Sequence, residues 1–344
     1  MRVAIMKSTM TRLRSQETGD TTWTGALDVL GIPYEYINCY DYDIITKLKG
    51  FTHLIWHYEN YMNADLMEAQ NILDTAERLG LKVFPNHDTG WHFDDKIAEA
   101  YALEAAGAPT PENWMFYEPD VCINWLKSEA RYPLVGKLRR GSGSNNVKLL
   151  RNEKEAVAYA KKMFAGGISP AQSLLYKTYS KVQSTKNIRT LVNRTKKIPD
   201  FLISRRYGKG IPREKGYCYF QQFINNNGYD IKIAVVGDKC SYFARNVRKG
   251  SFKASGGGDF FYDHSLIKKA LVKSAFKAAD NIGMQCVGFD YVVDQKTGKG
   301  LIIEMCYGFD FKAVYDCGGY WDRNFVWHNE PLNVPLEVVK NMIE

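Results

Sequence analysis

The chain is predicted to fold as an α/β protein in more than one part, a parallel sheet coming first and a mixed or antiparallel sheet last. Three observations predict it. Short apolar runs alternate with helical patterns over roughly residues 1–86, strands joined by tight connections follow from residue 217, and 344 residues exceed what one hydrophobic core usually serves. Apolar residues make up 45% and charged residues 24%, which is the balance of a globular chain and excludes disorder as its general state.

In chain order, RVAIM (2–6), YEYIN (34–38), THLIW (52–56) and LKVF (81–84) read as strands. Helical patterns fill 21–30 and 64–79, the second stopped by Gly80. Next, DDKIAEAYALEAAGAPTP predicts a helix with Asp94 as its cap, Ile97, Tyr101 and Ala105 on one face, and Gly107 with Pro109 as its stop. YCYFQQFI (217–224), YDIKIAVVG (229–237) and KCSYFARNV (239–247) alternate well enough to predict one antiparallel sheet. A helix over 265–282 is expected to start at Asp263 and bury Leu266, Ala270, Leu271, Ala275, Ala278 and Ile282. QCVGFDYVV and GLIIEMC close the core as a hairpin.

Two lysines stand out. Lys96 falls in the first turn of its helix, where a cation opposes the helix dipole unless an anion sits beside it. Lys137 ends an apolar run that leads into LRRGSGSNN, a Gly/Ser turn between two strands. That turn is not a Walker loop, because no Lys-Ser/Thr pair follows the glycines and a strand pattern replaces the helix. Its bare backbone could close over a polyphosphate, or be a turn only.

The final hairpin carries a second signal. Turned about Thr297 with Asp294 facing Gly300, it sets Asp290 opposite Glu304, two carboxylates on one sheet face beside Val292 and Ile302. A divalent cation would relieve their repulsion, and an oxygen-only donor set selects Mg²⁺ or Mn²⁺. A register shifted by one residue would turn one of them to water instead.

Charge and cysteine usage limit the rest. The net charge is +8, and residues 173–215 hold 12 Lys/Arg against Asp200 and Glu214, so this one segment carries the whole excess. It points to an anionic partner or a solvated lid, and nucleic acid is not expected, since no recognition helix or RNA-binding signature accompanies it. The seven cysteines are scattered without CxxC spacing, which argues against disulfides or a zinc knuckle. With no apolar run long enough for a signal peptide or a membrane span, a cytoplasmic protein is expected.

From about Asn86 to Lys312 these motifs, in this order, resemble the ATP-grasp superfamily, most of all its carboxylate–amine (peptide and amino-acid) ligase branch. The resemblance implies an N-terminal α/β domain over 1–86, a linker helix region over 87–130, a lid over 131–216 with a basic insertion at 170–215, and a catalytic domain over 217–344. It implies that ATP is held by Lys96, Lys137, Arg139 and the loop residues Gly141, Ser142, Gly143 and Ser144. Adenine would meet the strand backbone at Gln221, Gln222, Phe223 and Ile224, with Lys232 standing where the family has an arginine. Arg245 would join Lys137 in catalysis, Asp290 and Glu304 would take Mg²⁺ or Mn²⁺, and Arg205, Arg206, Arg248, Lys253, Asp310 and Lys312 are candidates for substrate.

The implied reaction is ADP-forming amide synthesis through an acyl phosphate, between an acidic small molecule, amino acid or sugar-linked acid and an amine, in a protein that could pair as a homodimer. A kinase on the same fold and a non-catalytic ATP-binding module are the alternatives. The sequence departs from the family at Cys306, where Glu-x-Asn usually ends, and at Gln222, where an acidic residue is common. A thiol is a poor Mg²⁺ ligand, so Cys306 reads as a bystander, with water or Asp310 completing any metal shell.

Overall fold

The computed structural model describes residues 1–6, 22–60, 62–141, 146–170, 210–247 and 260–344. Ser142, Gly143, Ser144, Arg205, Arg206, Arg248 and Lys253, with most of the basic segment, lie outside them.

The first sheet is parallel throughout, in the order β2 (Tyr34–Ile37), β1 (Val3–Met6), β3 (His53–Ile55), β4 (Lys82–Phe84). Parallel neighbours need crossovers, which α1 (Trp23–Val29), α2 (Ile44–Leu48) and α3 (Asn63–Arg78) supply. Gly80, at φ 88°, ends α3 in the left-handed conformation that glycine adopts without strain. This part agrees with the sequence reading.

After α4 (His87–Gly90) and α5 (Lys96–Ala105), an antiparallel sheet forms in the order β5 (Asn113–Phe116), β8 (Cys218–Gln222), β6 (Leu134–Lys137), β7 (Lys148–Leu150). Helices α6 (Pro119–Ser128) and α7 (Glu153–Phe164) bury Cys122, Leu126, Ala156, Tyr159 and Met163 against it. Strand β8 was expected to share a sheet with the two strands that follow it. Instead it is inserted between β5 and β6, since period-2 alternation fixes a strand's buried face but not its neighbour.

The largest sheet runs β13 (Gly300–Cys306), β12 (Cys286–Val293), β9 (Tyr229–Val236), β10 (Lys239–Asn246), β14 (Tyr320–Trp321), β15 (Trp327–His328), with β11 (Phe260–Phe261) beside β10. On one face lies α8 (Lys269–Ile282), buried through Leu271, Val272, Ala275, Phe276, Ala278 and Ala279. It begins later than the sequence suggests: Asp263 caps only a short 3₁₀ turn over 264–266, and Ala270 stays exposed. The short α9 (Phe311–Tyr315) and α10 (Val334–Ile343) tie this sheet to the first through a shared core. Trp321 and Trp327 pack with Tyr242 and His264, and Arg323 pairs with Asp280 at 2.6 Å, so the aromatic tail builds core at the sheet's far edge.

Candidate functional site

Helix α5, strands β5 and β8 and the edge strand β13 meet in one cleft, lined among others by Lys96, Glu99, Asn113, Gln221, Ile303 and Glu304. The cap of α5 is Asp95, whose carboxylate accepts from the N–H groups of Ile97 and Ala98 at 3.2 and 3.1 Å, and not Asp94. Tyr101 and Ala105 are exposed. The buried face is Lys96, Ile97, Glu99, Ala100 and Leu103, because a lysine and a glutamate take inward positions that an apolar count assigns to neighbours.

Lys96, at the first helical position, turns inward: its Nζ donates to Gly141 O at 3.0 Å and lies 3.3 Å from Glu304 Oε1. Burial acts to discharge this ammonium, but the carboxylates of Glu304, Glu99 and Asp94 outweigh it and hold its pKa above the ordinary range. The anion that a first-turn cation requires is therefore supplied within the chain. Lys137 Nζ donates to Ile303 O at 2.8 Å and is equally buried. Burial, assisted by Lys96, brings its pKa down to about 8 against the pull of Glu304.

Asp290 and Glu304 stand opposite one another, by a route other than the expected turn. Val293, not Asp294, faces Gly300, and a bulge at Ile303 then shifts the register so that Asp290 meets Glu304. Turn length alone does not reveal a bulge. The bulged residue is the one whose carbonyl Lys137 takes.

The repulsion between these carboxylates is relieved by side chains of the chain itself, which corrects the inference that a metal is needed for that purpose. Lys232, opposite Asp290 across β9 and β12, sets its Nζ 2.6 Å from Asp290 Oδ1. Arg245, opposite Asp230 across β9 and β10, holds both oxygens of Asp230 at 2.8 and 2.7 Å and reaches Asp290 at 2.9 Å. Burial would protonate Asp290, but Arg245 and Lys232 prevail and keep its pKa below the usual carboxylate range.

Other expected residues are placed differently. Arg139 pairs with Asp95 at 2.7 Å. Gln221 lies in the ladders to both β5 and β6 with its side chain on Asn113 Oδ1 at 2.9 Å, and Gln222 N–H donates to Glu112 O at 2.8 Å. Gln221 and Gln222 thus end a central strand, and Phe223 and Ile224 follow it. Asp310 caps α9, and Lys312 pairs at 2.6 Å with Asp316 on the exposed side of that helix, so neither is drawn into the cleft.

Cys306 Sγ accepts the Gly308 N–H at 3.1 Å, and burial pushes its thiol up to about 12. A thiol at that value is not a nucleophile near neutrality. Alkylation by iodoacetamide at pH 7.5 should therefore be slow at this position, followed by peptide mass, and Cys306→Ser should keep full turnover. Rapid labelling that abolishes turnover would restore a working thiol.

Sequence reasoning gave no site role to Glu99, to Asp94, which it read as a helix cap, or to Asp230. Glu99 is fully buried, accepts the Met305 N–H at 3.3 Å, and is pushed up to about 8 by its burial despite Lys96. Its signal was spacing, for residue i+3 from an inward lysine faces the same way. Asp230 precedes Lys232 by two, so both project from one face of β9.

No family model matches the sequence, and no curated protein matches it. Solved structures do. An ATP-grasp RimK domain protein from Sphaerobacter thermophilus aligns over 100% of both chains at TM-score 0.54 and 14% identity. An L-amino acid ligase from Bacillus licheniformis aligns at 0.57 and 14%, over 100% of this chain and 74% of that one. A D-alanine–D-alanine ligase from Bacillus anthracis, complexed with ATP, aligns at 0.51 and 15%, over 89% and 86%.

Proposed function

We propose that this chain, which has the ATP-grasp fold, binds ATP with Mg²⁺ and joins a carboxylate to an amine through an acyl phosphate, releasing ADP and phosphate. One observation carries the reading. Two buried lysines from separate elements, Lys96 and Lys137, converge on the edge strand β13, one at Glu304 and the other at the Ile303 carbonyl.

The acid pair fits the metal in a limited sense. Asp290 and Glu304 are oxygen donors opposite each other, and among the described residues no group of three His, Cys, Asp or Glu is placed to hold a metal alone. Such a pair suits an ion that takes its remaining ligands from phosphate and water. Bound there, Mg²⁺ would neutralise charge on the β- and γ-phosphate oxygens.

The chain's own residues do the rest. Lys137 would exchange the Ile303 carbonyl for a phosphate oxygen, and Lys96 would offer phosphate the donor that Gly141 O and Glu304 leave. Arg245, fixed by two hydrogen bonds to Asp230, presents its charge without reorganising, which is what stabilises developing negative charge. The substrate carboxylate oxygen attacks the γ-phosphorus and ADP leaves; the amine nitrogen then attacks the acyl carbon and phosphate leaves. The basic segment supports an anionic acid such as a small carboxylate, amino acid or sugar-linked acid.

Hydroxylamine tests the reading, since it traps an acyl phosphate as a hydroxamate. With Mg·ATP and pools of carboxylic acids, the coloured iron complex of a hydroxamate and free phosphate should appear without any amine. A stable phosphorylated product and no hydroxamate would make the protein a kinase, and no ADP from any pool would leave a binding module.

A further inference from the structure

Asp94 has no role in starting α5, which Asp95 caps by itself, yet it occupies a costly conformation. Its φ is 56°, one of two positive values among the described non-glycine residues, and its carboxylate is buried. Left-handed backbone outside glycine and burial of an acid both cost free energy, so the surroundings must hold this residue in place. What holds it is Gly141, the last described residue before the Gly/Ser turn. The Gly141 N–H donates to Asp94 Oδ1 at 3.0 Å while the Gly141 carbonyl accepts from Lys96 Nζ at 3.0 Å.

Both polar groups of one glycine are thus gripped by opposite charges two positions apart in the chain. A further bond, Lys96 N–H to Arg139 O at 2.9 Å, fixes the same stretch of backbone. Gly141 itself has φ 112°, so only glycine takes this place without strain. An ammonium has three N–H donors. With Gly141 O and Glu304 taking two of them, the third has a set direction.

We propose that Asp94 is a positioning residue for nucleotide binding: by clamping Gly141 it sets where the Lys96 ammonium points. This rests on the reading that Lys96 serves an ATP phosphate. Asp94 acts through Gly141 and Lys96 and does not touch the nucleotide.

The full-length protein would be titrated calorimetrically with Mg²⁺ and the non-hydrolysable β,γ-imido analogue of ATP. Asp94→Gly removes the grip but adopts φ 56° freely, so its melting temperature should hold or rise while Kd for the analogue increases about tenfold, the scale of one lost buried hydrogen bond. Asp94→Asn keeps an acceptor oxygen and tolerates the left-handed backbone, so it should bind within about threefold of wild type. Wild-type affinity in Asp94→Gly, or an Asn variant that folds normally yet binds as weakly as the Gly variant, would overturn the proposal. A drop in melting temperature with unchanged Kd would make Asp94 structural only. If the wild-type protein fails to bind the analogue, the nucleotide reading falls first and takes this proposal with it.

Discussion

Lys137→Met is expected to lower Mg·ATP turnover by about two to three orders of magnitude, the cost seen when one pre-aimed donor to a developing negative charge is removed. Methionine keeps the length and packing of the stem and discards only the ammonium. Because Lys137 Nζ is the partner of the Ile303 carbonyl at the β13 bulge, the substitution also leaves that carbonyl unsatisfied, a cost of about 1–3 kcal/mol that is offset below about pH 8 by removal of the buried charge, so the net change read by chemical denaturation should be small. The two effects separate, since denaturation reads stability and initial ADP release reads turnover.

The pH dependence sharpens the test. With the Lys137 pKa brought down to about 8, phosphate binds the charged form, so nucleotide affinity in the wild type should weaken as pH rises through about 8. The same break should be missing in Lys137→Met. For stability the sign is opposite. Lys137 is lowered relative to the unfolded chain, so its burial penalty is present below about 8 and fades as pH rises toward the ordinary lysine value. An unchanged rate in Lys137→Met, or an identical pH profile, would show that this lysine serves only the bulge.

How far the sequence revealed this site depends on the kind of information each part needs. The four parallel strands were legible because βα alternation is a local pattern, as was the Gly/Ser hairpin between Lys137 and Lys148. Lys96 was legible through an energetic anomaly, a cation where the helix dipole disfavours one. The insertion of β8 between β5 and β6 was not, since strand order is decided by long-range packing. Nor was the salt-bridge square of Asp230, Lys232, Arg245 and Asp290, whose pairings join residues on the three strands β12, β9 and β10. The Asp290–Glu304 pairing was reached through a turn register that the bulge corrects by one residue, so agreement on the pair hid a difference in the hairpin.

That square leads to the second large effect, in which the two opposed carboxylates should respond differently to loss of charge. Asp290→Asn should destabilise the fold by about 3–5 kcal/mol, because it strips the buried Lys232 of the carboxylate it pairs with and leaves Arg245 with Asp230. Glu304→Gln should cost about 1 kcal/mol or less, because Glu304 is 28% exposed and its one ion pair, with Lys96, is long at 3.3 Å. Turnover of Mg·ATP should fall about a hundredfold or more in both, through lost phosphate and metal neutralisation. Urea denaturation followed by far-UV circular dichroism measures the first contrast and initial ADP release the second. Lys232→Met in the Asp290→Asn background should recover part of the lost stability, since it removes one of the stranded charges, but none of the turnover. Equal stability losses in the two single variants would mean that the buried charge square is not what holds Asp290, and full turnover in Glu304→Gln would remove β13 from the nucleotide site.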